Sequence, residues 1–283
     1  MNKLREKSMG CVFLITALAS IFAVIVICLF LFANGFPTIF EIGPLDFLLG
    51  TNWRPTQDIY GIFPMILGSI YVTAGSLILG IPIGLLCAVY LARFCPPKIY
   101  KYLKPAVDLL AGIPSIVYGF FGLVVIVPMM RDLFGGNGKS VLTASILLGI
   151  MILPTLISVG ESSIRAVPES YYEGALALGA TPEEAMFKVM LPAAKSGVTA
   201  GIILAIDRSI GEAMAVSMVA GNQPVIPESL LSGVRTLTSN IVLEMGYATD
   251  MHRAALLATG VVLFVFILLI NLTFSLLRKK EDK

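Results

Sequence analysis

Six long, predominantly apolar runs constrain this chain more than any other feature of its sequence. They lie near residues 11–33, 66–92, 107–130, 141–160, 197–221 and 254–277. About 20 consecutive apolar residues in a helix cross a hydrocarbon core of about 30 Å, and each run reaches that length. Only 13% of the residues are charged, against about 25% in soluble domains. We therefore predict an all-α, polytopic membrane protein with six transmembrane helices.

Basic residues predict the orientation, because short loops rich in Lys and Arg stay in the cytoplasm. With the N-terminus inside, the cytoplasmic segments hold 14 of the 20 basic residues and the outer loops hold five. The cytoplasmic set is Lys3, Arg5, Lys7, Arg93, Lys98, Lys101, Lys104, Arg165, Lys188, Lys195, Arg278, Lys279, Lys280 and Lys283. The first run is longer than the 7–15 residues of a signal-peptide core, which predicts an uncleaved anchor. Both termini are predicted to be cytoplasmic.

Several other classes of protein fit the sequence poorly. A net charge of +2 is too small to indicate nucleic-acid binding, and membrane topology and contact with anionic membrane lipid explain the basic clusters. The four cysteines show no Cys-x-x-Cys spacing, so we interpret them as packing residues. His252 has no neighbouring Cys or His. We therefore predict no metal site, no catalytic residues and no cofactor bound by this chain.

One segment, LFGGNGKS at 133–140, resembles a nucleotide-binding P-loop. That motif needs glycine at its first position, where this chain has Leu133, and it needs a preceding strand. The charge distribution also places the segment outside the cell, where ATP is scarce. A flexible connection between two helices is the favoured interpretation.

The stretch YYEGALALGATPEEAMFKVMLP at 171–192 is unlike the apolar runs and falls in a cytoplasmic loop. Gly179 is suited to end a first helix, because glycine adopts the left-handed conformation without strain. Thr181 followed by Glu184 predicts a capping box that starts a second helix. Pro168 is expected to open the first helix and Pro192 to end the second. These signals predict two short helices with a bend at Gly179, either lying on the bilayer surface or docking to another protein.

A resemblance favours docking. Six residues of this stretch match the EAA loop of ABC-importer permeases, with Gly174 in place of the middle Ala: Glu173, Ala175, Gly179, Val189, Leu191 and Pro192. In that family the loop is a coupling helix that docks onto the ATPase subunit. The resemblance implies a type I ABC-importer permease fold, in which residues 1–60 form an anchor helix and outer loop. Residues 61–283 then form the permease core, with the coupling loop at 168–192.

Three further segments resemble the C-type permeases of phosphate-specific importers: AGIPSIVYG at 111–119, RSIGEAMAVSMVAGN at 208–222 and RTLTSNIVLEMG at 235–246. Asp207 and Ser209 depart from the usual pattern, which leaves the local charge balance open. The resemblance implies a multi-pass protein of a bacterial or archaeal inner membrane. It also implies a heterodimer with a sister A-type permease, two ATP-binding subunits that use the ATP, a phosphate-binding protein, and inorganic phosphate as substrate.

Asp207, Arg208 and Glu212 interrupt the fifth run near its middle, where each charge costs about 2.5–3.5 kcal/mol. In a continuous helix Arg208 and Glu212 would share one face and could pair. Such a pair is either structural or part of a transport path, in which arginine suits phosphate oxygens. We predict a gate pair on a substrate path, with Ser115 and Tyr118 as further lining residues.

Smaller signals concern helix packing. Gly80 with Gly84, and Gly197 with Gly201, place small residues one turn apart and predict close helix contacts. Pro82, Pro114 and Pro128 are predicted to bend or interrupt spans.

Three other functions compete with a phosphate permease. A permease for another oxyanion, such as sulfate or molybdate, would share these motifs. A secondary transporter predicts an internal repeat, which the sequence does not show, and has no need of a docking loop. A membrane-embedded enzyme needs a catalytic cluster on one side of the bilayer, and the sequence shows none.

Overall fold

The computed structural model describes residues 2–281, with side chains described for residues 8–276. Helices make up most of this part of the chain. The first eight are α1 (Asn2–Ile42), α2 (Pro44–Leu49), α3 (Phe63–Val89), α4 (Pro97–Ala111), α5 (Ser115–Phe121), α6 (Val127–Phe134), α7 (Val141–Arg165) and α8 (Glu169–Ala177). The others are α9 (Pro182–Ala185), α10 (Leu191–Ala193), α11 (Lys195–Gly211), α12 (Met214–Val219), α13 (Leu237–Glu244) and α14 (Asp250–Glu281). Two short strands, β1 (Trp53–Arg54) and β2 (Ile59–Tyr60), form an antiparallel hairpin in which Trp53 pairs with Tyr60.

Five segments of the described chain are long and apolar enough to cross a membrane. They are Ser8–Ile42, Phe63–Phe94, Ser115–Phe134, Val141–Arg165 and Asp250–Leu276. The count reaches six when the bent pair Pro182–Ala193 and Lys195–Gly211, at an angle of 72°, is taken as one broken span. The prediction of an all-α membrane protein is confirmed. The flanking Lys3, Arg5, Lys7, Arg278, Lys279 and Lys280 lie where side chains are not described, and Lys283 lies outside the described residues.

The predicted third span, 107–130, is wrong at its start. Helix α4 ends at Ala111, Pro114 adopts an extended conformation with ψ 140°, and a new helix begins at Ser115. The residue before a proline is disfavoured in the helical conformation, so the Gly112-Ile113-Pro114 sequence separates the two helices. The crossing segment runs from Ser115 to Phe134 instead.

The predicted fifth span, 197–221, is also broken. Helix α11 ends at Gly211, and Glu212 is extended, with φ −74° and ψ 122°. The hydroxyl of Thr238 donates to the carbonyl oxygen of Glu212 at 3.0 Å, which satisfies a backbone acceptor that the broken helix leaves open. The short helix α12 then continues toward a turn at Gly221.

Helices α3 and α7 form the packed centre of the molecule. A Cβ at Gly80 would lie 2.7 Å from Ile152, and one at Gly84 would lie 2.8 Å from Leu156, so only glycine permits this approach. Gly197 and Gly201 face α7 as closely. The predicted close helix contacts at both glycine pairs are confirmed.

Two prolines lie within helical segments just after a wide π-helical turn. The turn Gly122–Ile126 precedes Pro128, and the turn Met186–Met190 precedes Pro192. A proline has no N–H to give to the carbonyl four residues earlier and its ring crowds that carbonyl. The wider turn absorbs this defect, so the helical path continues through both prolines.

Candidate functional site

The loop between α7 and α11 bends at Gly179, which has φ +91°. The N–H of Ala180 donates to the carbonyl of Ala175 at 3.1 Å, and that of Gly179 donates to Leu176 at 2.9 Å. This pair of bonds is the Schellman arrangement that ends a helix on a left-handed residue. The predicted bend is confirmed.

The second helix of the loop begins at Thr181, as predicted. The Thr181 hydroxyl accepts from the N–H of Glu184, and the Glu184 carboxylate accepts from the N–H of Thr181, both at 3.2 Å. The prediction that Pro192 ends this helix is wrong. The chain stays helical to Ala193, because the π-helical turn before Pro192 accommodates the missing N–H.

The loop has a packed face and an open face. On the packed face, five side chains are buried against the spans: Tyr172, Ala175, Ala185, Met186 and Met190. The open face, which we call the loop face, presents four exposed apolar side chains: Tyr171, Leu176, Leu178 and Phe187. Leu178 is 92% exposed. A patch of exposed apolar side chains is typical of an interaction surface.

The six residues matched to the EAA loop divide between these faces. Glu173, Gly179 and Pro192 are exposed, Val189 and Leu191 are half-buried, and Ala175 is buried in the packed face. The exposed Tyr171, Leu178 and Phe187 escaped prediction because an apolar residue in a short amphipathic helix is expected to face inward.

Charged side chains connect the loop to the spans. The Arg93 guanidinium pairs with Glu169 at 2.7 Å and lies 3.7 Å above the ring of Tyr172. Arg93 belongs to the π-helical turn Tyr90–Phe94 that extends α3, whereas Glu169 and Tyr172 belong to α8. These contacts join α8 to the end of this span.

A second connection is centred on Glu161, which is 3% exposed. Its carboxylate accepts from Tyr100 at 2.6 Å and from Arg165 at 2.9 Å, and it lies 3.3 Å from the Lys104 ammonium. The hydrogen bond to Glu161, and then burial, raises the pKa of Tyr100, so its phenol stays protonated and donates. Arg165 also donates to the carbonyl of Leu91 at 2.8 Å. Glu161 therefore joins α4, α7 and the end of α3.

In the middle of the molecule α5 packs against α12. A Cβ at Gly119 would lie 2.7 Å from the Met218 sulfur and 2.9 Å from the Cα of Ala215. This contact brings the segments 111–119 and 208–222 together. The Tyr118 hydroxyl donates to the carbonyl of Leu110 at 2.9 Å, which ties α5 to the end of α4.

Arg208 lies in the last turn of α11, just before the helix break at Glu212. It is half-buried, and its side chain forms no ion pair or hydrogen bond with any residue in 8–276. Its neighbour Asp207 has one buried carboxylate oxygen without a partner. Ser115 is half-buried at the start of α5. Arg208 thus lies just before one helix break, and Ser115 and Tyr118 lie just after the other.

The predicted pairing of Arg208 with Glu212 is wrong. Because α11 ends at Gly211, Glu212 does not lie on the helical face that carries Arg208. Its carboxylate instead accepts from the N–H of Ala215 at 3.0 Å, which caps the start of α12. Ser209, by contrast, is buried and shares a hydrogen bond of 2.7 Å with Ser76 of α3.

The segment that resembles a P-loop is a connection between α6 and α7. Gly135, Gly136 and Gly138 all have positive φ, and the Ser140 hydroxyl accepts from the N–H of Thr143 to cap α7. No strand precedes this segment, which runs directly from a helix.

At the end of the molecule away from the loop between α7 and α11, a second buried carboxylate, Glu244 of α13, contacts the hairpin, Arg235 and α14. It accepts from the indole N–H of Trp53 at 2.8 Å, lies 2.8 Å from His252 Nε2, and pairs with Arg235. The sequence predicts no role for His252, because its hydrogen-bond partner Glu244 lies eight residues away and its ring contacts Trp53 and Tyr60 belong to the distant hairpin. Within the described residues, no group of three His, Cys, Asp or Glu side chains is arranged to hold a metal ion.

Comparison with known proteins gives consistent matches. The family model described as "Binding-protein-dependent transport system inner membrane component" matches residues 80–283. The chain is 40% identical over 266 residues to a probable ABC transporter permease protein, YqgH, of Bacillus subtilis, covering 90% of this chain and 86% of that protein. It is 33% identical over 262 residues to the phosphate transport system permease protein PstC of Pasteurella multocida, covering 84% and 82%.

Among solved structures, the chain resembles the inward-facing MetNI methionine ABC transporter. The TM-score is 0.61 at 20% identity, and the match covers 81% of this chain and 99% of that one. This likeness shows the fold, which is that of an ABC-transporter permease.

Proposed function

Because the chain belongs to the family of binding-protein-dependent transport system inner membrane components, we propose that it is the permease subunit of an ATP-driven phosphate importer. It forms half of the translocation path, pairs with a sister A-type permease, and has no ATPase site of its own. The observation that carries this proposal is the identity of 31–35% to several PstC permeases over most of the chain. The partners are two ATP-binding subunits and a phosphate-binding protein.

The loop face supports contact with an ATP-binding subunit. Its exposed apolar side chains need a partner to remove them from water, and the bend at Gly179 holds them in one rigid unit. When ATP closes the two ATP-binding subunits, the loop is displaced. The Arg93–Glu169 pair and the Glu161 cluster carry that displacement into α3, α4 and α7.

The two helix breaks support a translocation path in the middle of the membrane. Broken helices place irregular backbone and polar side chains at membrane depth, which is tolerated only beside protein or a water-filled cavity. Arg208 supplies a fixed positive charge there with planar donors suited to phosphate oxygens. The sister permease forms the other wall of the path, and both termini lie in the cytoplasm.

Uptake by the reconstituted complex tests the proposal. Vesicles holding both permeases and the ATP-binding subunits should take up labelled phosphate only with ATP beside the ATP-binding subunits and phosphate-binding protein on the opposite face. A tenfold excess of sulfate or molybdate should not compete. Uptake driven by an ion gradient without ATP would show a secondary transporter, and preferential sulfate or molybdate uptake would show a different oxyanion permease.

A further inference from the structure

A cavity of about 430 Å³ opens at the end of the molecule opposite the loop. Six residues that line it bear on its chemistry: Asp58, Tyr60, Glu244, Tyr247, Asp250 and His252. Tyr60 lies just before the segment Phe63–Phe94, whose other end contacts the loop through Arg93. A helix of 32 residues is about 48 Å long, so the cavity and the loop lie on opposite faces of the membrane.

Aromatic rings form one side of this cavity. The His252 ring stacks on Tyr60 with centroids 6.5 Å apart and meets Tyr247 at 5.9 Å, edge to face. Trp53 supports them from behind, 5.6 Å from Tyr60 and 6.2 Å from His252. Tyr247 is 67% exposed at the mouth of the cavity, although burying a large aromatic ring is energetically favourable. Aromatic faces of this kind attract cations.

Carboxylates form the rest of the cavity lining. Glu244, 6% exposed, lies at the base and is neutralised by Arg235. Asp58 and Asp250 are exposed at the rim, and neither forms an ion pair with a basic side chain in the described part of the chain. The Asp58 carboxylate accepts from the Tyr60 hydroxyl at 3.1 Å, which fixes it beside the aromatic wall. The open part of the cavity is therefore acidic and aromatic.

We propose that this cavity receives a lysine or arginine side chain of the phosphate-binding protein, inserted between Tyr247 and the carboxylates of Asp58 and Asp250. The inference rests on the proposed function, because the family depends on a binding protein and that protein approaches the face opposite the ATP-binding subunits. A cation in this position is attracted both by the faces of the aromatic rings and by the two carboxylates. Free phosphate, being an anion, is repelled by the same lining.

The test measures ATPase activity of the complex in vesicles against the concentration of phosphate-loaded binding protein. The double variant Asp58→Asn with Asp250→Asn should raise the half-saturating concentration about tenfold and leave the maximal rate unchanged. Asparagine tolerates the positive φ of both positions, +54° and +42°, so the backbone is preserved. Raising the salt concentration should weaken the wild type more than the double variant.

The matched control is Glu228→Gln, which removes an exposed carboxylate at the same end of the molecule but outside the cavity. It should keep the wild-type half-saturating concentration, as should Tyr247→Phe, whereas Tyr247→Ala should raise it severalfold. A double variant that behaves like Glu228→Gln overturns the proposal. Phosphate uptake by the wild type in the same vesicles separates the two hypotheses: an inactive wild type contradicts the proposed function and this inference with it, and an active one leaves only the cavity in question.

Discussion

The charged side chains near the loop have partners of opposite charge, whereas the charged side chains in the last turn of α11 have none among the described residues. Near the loop, Glu161 contacts Arg165, Lys104 and Tyr100, and Arg93 pairs with Glu169. In α11, Arg208 has no ion pair within the described residues and Asp207 keeps a buried carboxylate oxygen without a partner. The paired region is suited to passing on a displacement as a unit. The unpaired charges are suited to accepting an ion or a group from another subunit.

The substitution with the largest expected effect tests the unpaired side of this comparison. Arg208→Gln should reduce phosphate uptake at least a hundredfold and leave the complex assembled, because the substrate loses its fixed positive partner while no ion pair among the described residues is broken. Arg208→Lys should retain part of the activity, since it keeps the charge but lacks the planar donors. Uptake and complex yield are measured together for both variants. Wild-type uptake by Arg208→Gln would contradict a role on the path.

The second substitution tests the rigid bend of the loop. Gly179→Val should reduce uptake and association with the ATP-binding subunit about tenfold, because a β-branched residue at φ +91° is strained. Apart from its two neighbours in sequence, no described residue has an atom within 4 Å of the added Cβ, so the cost comes from the backbone.

Gly174→Ala is the matched control, since its Cβ also meets nothing within 4 Å and its φ is not left-handed. Co-purification of the ATP-binding subunit should be normal for this control. Equal losses in both variants would show that a partner contact, and not the bend, explains the effect.

The features of the loop could be predicted because their causes lie within a few residues. Thr181 and Glu184 are three apart, and Gly179 needs only its own backbone to end a helix. The break at Glu212 could not be predicted, because the group that stabilises it, Thr238, lies 26 residues away. Likewise, the ligands of Glu161 come from α4 and α7, and those of Glu244 from the hairpin and α14. Helices and the caps of the loop helices can be predicted because they depend on residues close together in the sequence. Helix breaks and buried charge clusters cannot, because they depend on tertiary contacts.

The third substitution weakens the paired region. Glu161→Gln removes the negative charge shared by Arg165 and Lys104, and a buried polar group left partly unsatisfied costs about 1–3 kcal/mol. We expect a lower unfolding temperature and several times less phosphate moved per ATP hydrolysed. Glu184→Gln serves as the control, because the Glu184–Lys188 pair lies on the surface. If Glu161→Gln lowered stability but left the phosphate-to-ATP ratio unchanged, the cluster would have only a structural role.

The smallest effect is expected at Glu212, the residue that the sequence places in a gate pair with Arg208. Its carboxylate caps α12 by accepting from the N–H of Ala215, and a glutamine carbonyl oxygen can accept the same bond. Glu212→Gln should therefore keep uptake within about twofold of the wild type, with no leak and no uncoupled ATPase activity. Glu212→Ala loses the cap, which costs about 1 kcal/mol, and should lower uptake further. A gate pair predicts a different result. Loss of the charge alone would then disable transport, and Glu212→Gln would be as harmful as Glu212→Ala. Uptake and ATPase activity of these two variants decide between a helix cap and a gate, and a leaky Glu212→Gln transporter would restore the gate-pair hypothesis despite the broken helix.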